Sequence, residues 1–214
     1  MNILAVDTSL GACSVAVVND ERVLAHAFEV MARGHAEALA PMVEATMKRG
    51  GREFANLERL AVTTGPGTFT GQRVGLAFMR AMRIALGIPL VGVTTLSAMA
   101  EQAMAETGAG IGVGLHDARR DEVYLEIAGS VQLEPCVLPF AAAVERLAEL
   151  NVPFALAGTA AERAHQHLPA SLLSNVRQPD ALWVAKLARA VTLAHEPPRP
   201  LYLRPPDARL PVQR

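Results

Sequence analysis

The chain has 214 residues, 51% hydrophobic but only 4% aromatic, with a formal net charge of −1. That length buries a real core, as one domain or as two halves of about a hundred residues, and an alanine-, valine- and leucine-rich interior suits helices packed on a sheet. A balance so close to neutral excludes a whole-surface electrostatic footprint for nucleic acid, so any RNA is held by something else.

Residues 2–6 form an apolar run closed by Asp7-Thr8-Ser9, residues 13–18 a second, and residues 22–30 a third after the turn signal Asn19-Asp20. Three short runs joined by tight turns predict an antiparallel meander. After Gly34-His35, Leu39, Met42, Val43, Thr46 and Met47 recur at helical spacing, with Pro41 early in the segment and Gly50-Gly51 ending it. Residues 60–64 read as a strand, 71–86 as a helix stopped by Gly87 and Pro89, and 90–93 as another strand. Thr94 or Thr95 then caps a helix running to about residue 106.

The glycine-rich stretch 108–114 reads as a link into the second half, which places a subdomain boundary between 1–106 and 107–214. Asp117-Ala118-Arg119-Arg120-Asp121-Glu122 is a polar turn with a return strand over 123–127. An amphipathic helix over 140–150, a buried strand over 154–157, and helices over 160–167 and 181–194 follow. The tail, 196–214, carries six prolines and reads as extended. No repeat is visible by identity, but both halves run from strands to alternating helices, which hints at a duplicated α/β plan.

Cys13 and Cys136 belong to no CxxC pair, which argues against a disulfide framework or zinc ribbon and predicts two reduced, buried thiols. The first ten residues have no basic start or long apolar stretch, and no run approaches the length of a membrane span, so the expectation is a cytoplasmic protein without membrane attachment.

Two segments carry candidate chemistry. In Thr64-Gly65-Pro66-Gly67-Thr68-Phe69-Thr70-Gly71 a strand ends, glycines allow close backbone approach, and a helix begins. Such a turn can cradle an anion at the helix N-terminus, or serve only as a tight strand-to-helix connection. It has neither the Lys-Ser/Thr ending of a P-loop nor the spacing of a dinucleotide fingerprint. Asp7-Thr8-Ser9-Leu10-Gly11, at the end of the first strand, could meet a magnesium-phosphate group or merely bond its own turn. Asp7, Thr8, Ser9, Gly65 and Gly67 are therefore the candidate nucleotide-binding residues, functional or vestigial.

These two segments, with Gly75-Leu76-Ala77, Ile88-Pro89, His35 before Leu39 and Pro41, Asp117-Ala118-Arg119 with Glu122-Val123-Tyr124, and the tail's Pro200-Leu201-Tyr202-Leu203-Arg204, resemble the TsaB family. Those landmarks span residues 3 to 204. The resemblance implies an actin-like (ribonuclease H-like, ASKHA) α/β fold with two subdomains of mixed sheets and flanking helices. It also implies a non-catalytic paralogue of the threonylcarbamoyl transferase TsaD, which modifies adenosine 37 of ANN-decoding tRNAs.

The catalytic paralogue carries an HxxxH metal-binding pair, and the matching positions here are Thr95 and Met99. Threonine is a poor ligand and methionine prefers soft metals, so no catalytic metal and no cofactor are expected. His165 and His167 point to different sides of a helix. His26 lies in a strand, His116 by a turn, His195 near a helix end and His35 at a helix start, and no triad assembles from them. A stand-alone actin-like ATPase or kinase, using Asp7 and the Gly65 loop with Gly158-Thr159-Ala160 as a second loop, is one alternative. A glycoprotease-like peptidase is another, and both are disfavoured.

What remains is binding. On the 71–86 helix, Val74, Ala77, Phe78, Ala81 and Ala85 form one apolar stripe, and Leu76, Met79, Met82 and Leu86 another, with Arg80 and Arg83 alongside. One stripe suffices to pack on a sheet; a second predicts a covered opposite face, covered either by the first helix (Leu39, Met42, Met47) within the chain or by a partner. The resemblance implies that this helix and the preceding one pair with two helices of TsaD, or of a second copy when TsaD is absent, with TsaE contacting the pair and tRNA engaged only indirectly. The expected interface is Leu39, Met42, Leu76, Met79, Arg80, Met82 and Arg83. On this expectation Met79→Glu with Leu76→Glu breaks the complex and leaves the monomer folded.

Overall fold

Tight turns and glycine stops cut the chain into the same eight-element series twice. The computed structural model describes residues 1–191 and 196–204; the expected helical residues 192–194, His195 and the tail beyond 204 lie outside them. The first series is β1 (Asn2–Asp7), β2 (Ala12–Asn19), β3 (Arg22–Val30), α1 (His35–Arg49), β4 (Arg59–Gly65), α2 (Phe69–Leu86), β5 (Leu90–Thr94) and α3 (Thr95–Thr107). The second is β6 (Ile111–Arg119), β7 (Glu122–Gly129), β8 (Leu133–Pro139), α4 (Phe140–Ala148), β9 (Phe154–Ala157), α5 (Ala161–His165), β10 (Ser171–Leu173) and α6 (Ala181–Ala190).

The sheets repeat as well. The first runs β3-β2-β1-β4-β5 and the second, read the same way, β8-β7-β6-β9-β10. In both, the meander is antiparallel and the last two strands add in parallel through helical crossovers. The duplicated plan hinted at by the sequence is therefore the architecture.

Local chemistry accounts for most boundaries. The β2–β3 turn needs Asp20 at φ 51°, and the β6–β7 turn holds Arg119, Arg120 and Asp121 at φ 63°, 56° and 59°, values that suit the primed turns of tight hairpins. Thr68 caps α2 and Thr94 caps α3, each accepting from the amide three residues on. Gly87 and Gly108 end those helices in the left-handed conformation.

α1 and α2 cover one face of the first sheet, meeting Leu4, Val6, Val15, Val17, Leu60 and Val62. α4 and α5 cover the outer face of the second around Phe140, Leu147, Phe154 and Leu156. Between the sheets the helices exchange. α6, from the second series, lies on the first sheet with Ala181, Val184, Ala185 and Ala188 against Ile3, Ala5, Ala16 and Ala61. α3, from the first series, lies on the second sheet through Leu96, Met99 and Ala103.

That exchange explains a difference from the sequence reading. The glycines at 112 and 114 belong to β6 itself, not to a link. A Cβ at Gly112 would come within 2.4 Å of the Ala100 carbonyl oxygen, and one at Gly114 within 2.5 Å of that of Leu96. They are glycine because α3 crosses β6 backbone to backbone. β8 and β10 go beyond the elements the sequence predicts, α5 is shorter than predicted, and Cys136 is half-buried where Cys13 is fully buried. Among the described residues no helix is long and apolar enough to cross a membrane.

Candidate functional site

The structure brings all five candidate loop residues together where β1 and β4 end beside the start of α2. Asp7, Thr8 and Ser9 are buried. The Asp7 Oδ1 accepts from the Ser9 amide (3.2 Å), the Ser9 hydroxyl (2.5 Å) and the Thr63 hydroxyl (2.6 Å), while its Oδ2 is buried without a partner. Burial pushes the Asp7 carboxyl up from 3.8 to about 6, more than the hydrogen bonds from Ser9 and Thr63 pull it down; the charge of Asp180 adds to the rise.

The two loops are closed on each other. The Thr8 hydroxyl donates to the Gly71 carbonyl at 2.7 Å, and the Ser9 carbonyl accepts from the Thr68 amide at 2.8 Å. A Cβ on Gly67 would sit 2.4 Å from the Ser9 carbonyl oxygen, and one on Gly71 2.3 Å from that of Thr8. The glycines thus admit the neighbouring loop. At the α2 N-terminus the amide of Gly71 is already bonded to the Thr68 hydroxyl and that of Gln72 to the Thr68 carbonyl. An incoming phosphate would have to displace these bonds. Gln178, which the sequence did not single out, seals the turn by accepting from the Gly11 amide at 2.8 Å.

Below this turn, Leu10 joins Leu96, Met99, Ala103, Ala155, Ala157 and Val176 in an apolar cluster between the two sheets. Thr95 and Met99, the positions matching the paralogue's histidine pair, are fully buried; the Thr95 hydroxyl donates to the Pro66 carbonyl at 2.6 Å. Both side chains are taken up by packing and, for Thr95, by that hydrogen bond to the Pro66 carbonyl. Glu126 lies nearby, taking a hydrogen bond from the Thr94 hydroxyl at 2.5 Å, and burial raises its carboxyl from 4.5 to about 7.

The histidines are dispersed. His26 pairs with Asp180 at 2.7 Å, and the His165 Nδ1 meets the Ser171 hydroxyl at 2.8 Å in the other lobe. His116 is held near 4 by burial, against the opposing pull of Asp117. Among the described residues these contacts make no serine–histidine–acid series, and no group of three or more His, Cys, Asp or Glu side chains converges as a metal site.

α2 corrects the interface expected from the sequence. Leu39, Leu76 and Met79 are 1%, 2% and 0% exposed and form the core against the first sheet. They cannot meet a partner, and glutamates at 76 and 79 would place carboxylates in that core. Met42, Met82, Arg80 and Arg83 are half-buried on the flanks. The other stripe is divided: Val74 and Phe78 are half-buried against the same core, while Ala77, Ala81 and Ala85, with Ile84 at 80% exposed, form the open crest. The signal that orients the helix is the glycine pair Gly71 and Gly75, four apart. A Cβ at Gly75 would lie 2.8 Å from the Thr8 hydroxyl oxygen, so that side must face the sheet.

The proline-rich segment 196–204 runs along the other flank of α2. The Leu201 amide donates to the Thr64 carbonyl at 2.8 Å, and Arg80 donates to the Pro198 carbonyl at 2.6 Å. Arg204 then reaches the second lobe, donating to the Ala118 carbonyl and pairing with Glu122. The segment is a strap joining the two lobes.

Known proteins share this fold and sequence pattern. The family profile described as "TsaD: tRNA N6-adenosine threonylcarbamoyltransferase" matches residues 27–191. The Escherichia coli "tRNA threonylcarbamoyladenosine biosynthesis protein TsaB" is 40% identical over 124 residues, 58% of this chain and 53% of that protein, so the chain spans about half the length of that relative. Among solved structures, a Pseudomonas aeruginosa protein described as similar to the peptidase YeaZ superposes with a TM-score of 0.81 at 30% identity, over 95% of this chain and 99% of that one. Component A of the Acidaminococcus fermentans (R)-2-hydroxyglutaryl-CoA dehydratase, with a TM-score of 0.53 at 10% identity over 88% and 97%, shares the actin-like fold alone.

Proposed function

Because this chain belongs to the TsaB (YeaZ-type) family, within the threonylcarbamoyltransferase family whose profile it matches, we propose that it acts in tRNA threonylcarbamoyladenosine biosynthesis as a non-catalytic partner of a TsaD-type transferase. The observation that carries this reading is the open apolar crest of α2, with Ala77, Ala81, Ile84 and Ala85 unpartnered on a helix whose opposite side already satisfies the sheet. Alanines four residues apart let another helix approach closely, and an isolated Ile84 gains most from being covered.

The outer sides of α1 and α2 pack with two helices of the transferase as a four-helix bundle, or with those of a second copy when the transferase is absent. The transferase supplies the reaction and holds the tRNA, and the ATPase TsaE contacts the pair. This chain orders its partner through the bundle, in the cytoplasm. The closed loop pair around Asp7 and Gly67 is retained for architecture: it turns β4 into α2.

Depletion of this chain in its own cell, followed by mass spectrometry of bulk tRNA nucleosides, tests the reading. Threonylcarbamoyladenosine should fall to near background and return with the wild-type chain, but not with Ala81→Glu/Ile84→Glu. Unchanged modification after depletion, or full rescue by the double variant, would overturn it.

A further inference from the structure

α2 carries three arginines, Arg73, Arg80 and Arg83, and no aspartate or glutamate in its 18 residues. Among the described residues none of the three is in an ion pair, although Arg163, Arg189, Arg199 and Arg204 all are. Two of them are instead held by the strap through neutral acceptors. The Arg73 Nε donates to the Tyr202 hydroxyl at 3.0 Å, and an Arg80 Nη2 to the Pro198 carbonyl at 2.6 Å.

The Arg73 guanidinium also lies 3.6 Å over the Phe69 ring, which stacks on Tyr202 at 5.9 Å between centroids. The Arg80 Nε is buried with no partner. The strap has its own anchors, at Thr64 for Leu201 and at Ala118 and Glu122 for Arg204. Its Arg204 is neutralised by Glu122, whereas the two cations it holds on α2 have no carboxylate partner among the described residues.

We propose that segment 196–204 holds Arg73 and Arg80 as a preset cationic edge beside the α2 crest, and that the edge is met by carboxylates on a partner protein. This rests on the reading of α2 as a docking helix and adds the chemistry of what docks. A guanidinium fixed before the encounter loses less rotamer freedom on pairing, and one bonded to a neutral acceptor keeps donors free for an anion. The partner is a protein surface with an apolar stripe and acids along one side. A phosphate backbone would satisfy the arginines but would leave Ile84, at 80% exposure, uncovered. Tyr202 acts as a positioning residue, through Arg73.

Titration calorimetry of the full chain into its own TsaD-type transferase, at roughly 0.05 M and roughly 0.5 M salt, tests this. Wild-type affinity should fall with salt. Arg73→Gln should lower the low-salt affinity about tenfold and flatten the salt dependence. Tyr202→Phe, which removes one hydroxyl and leaves the Arg73 charge, should lower it about threefold with a smaller flattening and with Tm unchanged. Salt-independent wild-type binding, or variants that match the wild type, would contradict the cationic edge while leaving the docking reading intact. No wild-type binding at all would overturn both. RNA retention or self-association that responds to Arg73→Gln while transferase binding does not would assign the edge to that occupant and reject the proposal.

Discussion

The two lobes repeat one plan, yet the helices in the same places differ greatly. In the first lobe α1 has 15 residues and α2 has 18; their counterparts α4 and α5 have 9 and 5. Both pairs cover one face of a five-stranded sheet, so covering a sheet does not require the longer helices. The turns leading into α2 and α5 share one feature, a glycine at positive φ, Gly65 at 106° and Gly158 at 102°. Shared turn chemistry marks what the architecture needs. On the proposed function, the surplus helix length, with its exposed crest and arginine edge, is what docking adds to one lobe.

The largest expected effect separates the two faces of α2. Met79→Glu with Leu76→Glu puts two carboxylates into a closed core and should unfold the chain, since each costs several kcal/mol against a total stability of about 5–15 kcal/mol. Ala81→Glu with Ile84→Glu, on the crest, should change stability by less than about 0.5 kcal/mol per site. Equal Tm values for the two double variants would erase the distinction.

Next comes the likeness of the turns. Gly71→Ala in the first lobe forces a Cβ to 2.3 Å from the Thr8 carbonyl oxygen, and Gly158→Ala in the second forces one to 2.2 Å from that of Leu115. Each should cost about 3 kcal/mol in urea unfolding. A normal stability for Gly71→Ala would mean that the first turn is not the closed structural element described above.

A smaller effect follows from Asp7. Its folded pKa of about 6 lies above the unfolded 3.8, so its contribution is most favourable below 3.8, declines as pH rises from 3.8 to about 6, and stays unfavourable above. Asp7→Asn should therefore gain about 1–3 kcal/mol relative to wild type between pH 4 and pH 7. Glu126→Gln should behave alike across 4.5 to about 7. A flat difference against pH would mean that these carboxyls are solvated in solution.

Much of this plan was readable from the residues. The meander, the caps at Thr68 and Thr94 and the glycine stops at 87 and 108 are local chemistry, and local chemistry is written in the sequence. The misses have equally specific causes. β8 contains Pro135 and ends on Pro139, which masks its alternation, and β10 is only three residues long. Gly112 and Gly114 look like a linker until α3 is known to cross them, a long-range fact. Both apolar stripes of α2 reach the core, through Leu76 and Met79 and through Val74 and Phe78, and the position of Gly71 and Gly75 beneath the helix marks the side that lies deepest. Gln178 and Tyr202 bond Gly11 and Arg73, more than a hundred residues away, so no window of sequence could have paired them.

The account stands on the claim that the crest of α2, and not the loop that launches it, carries function. The most direct test is calorimetric titration of the purified chain into its TsaD-type transferase, comparing wild type, Ala81→Glu/Ile84→Glu and the loop variant Ser9→Ala. The account predicts that wild type and Ser9→Ala bind alike and that the crest variant, still folded, shows no heat of binding. Binding by the crest variant at wild-type affinity would contradict it.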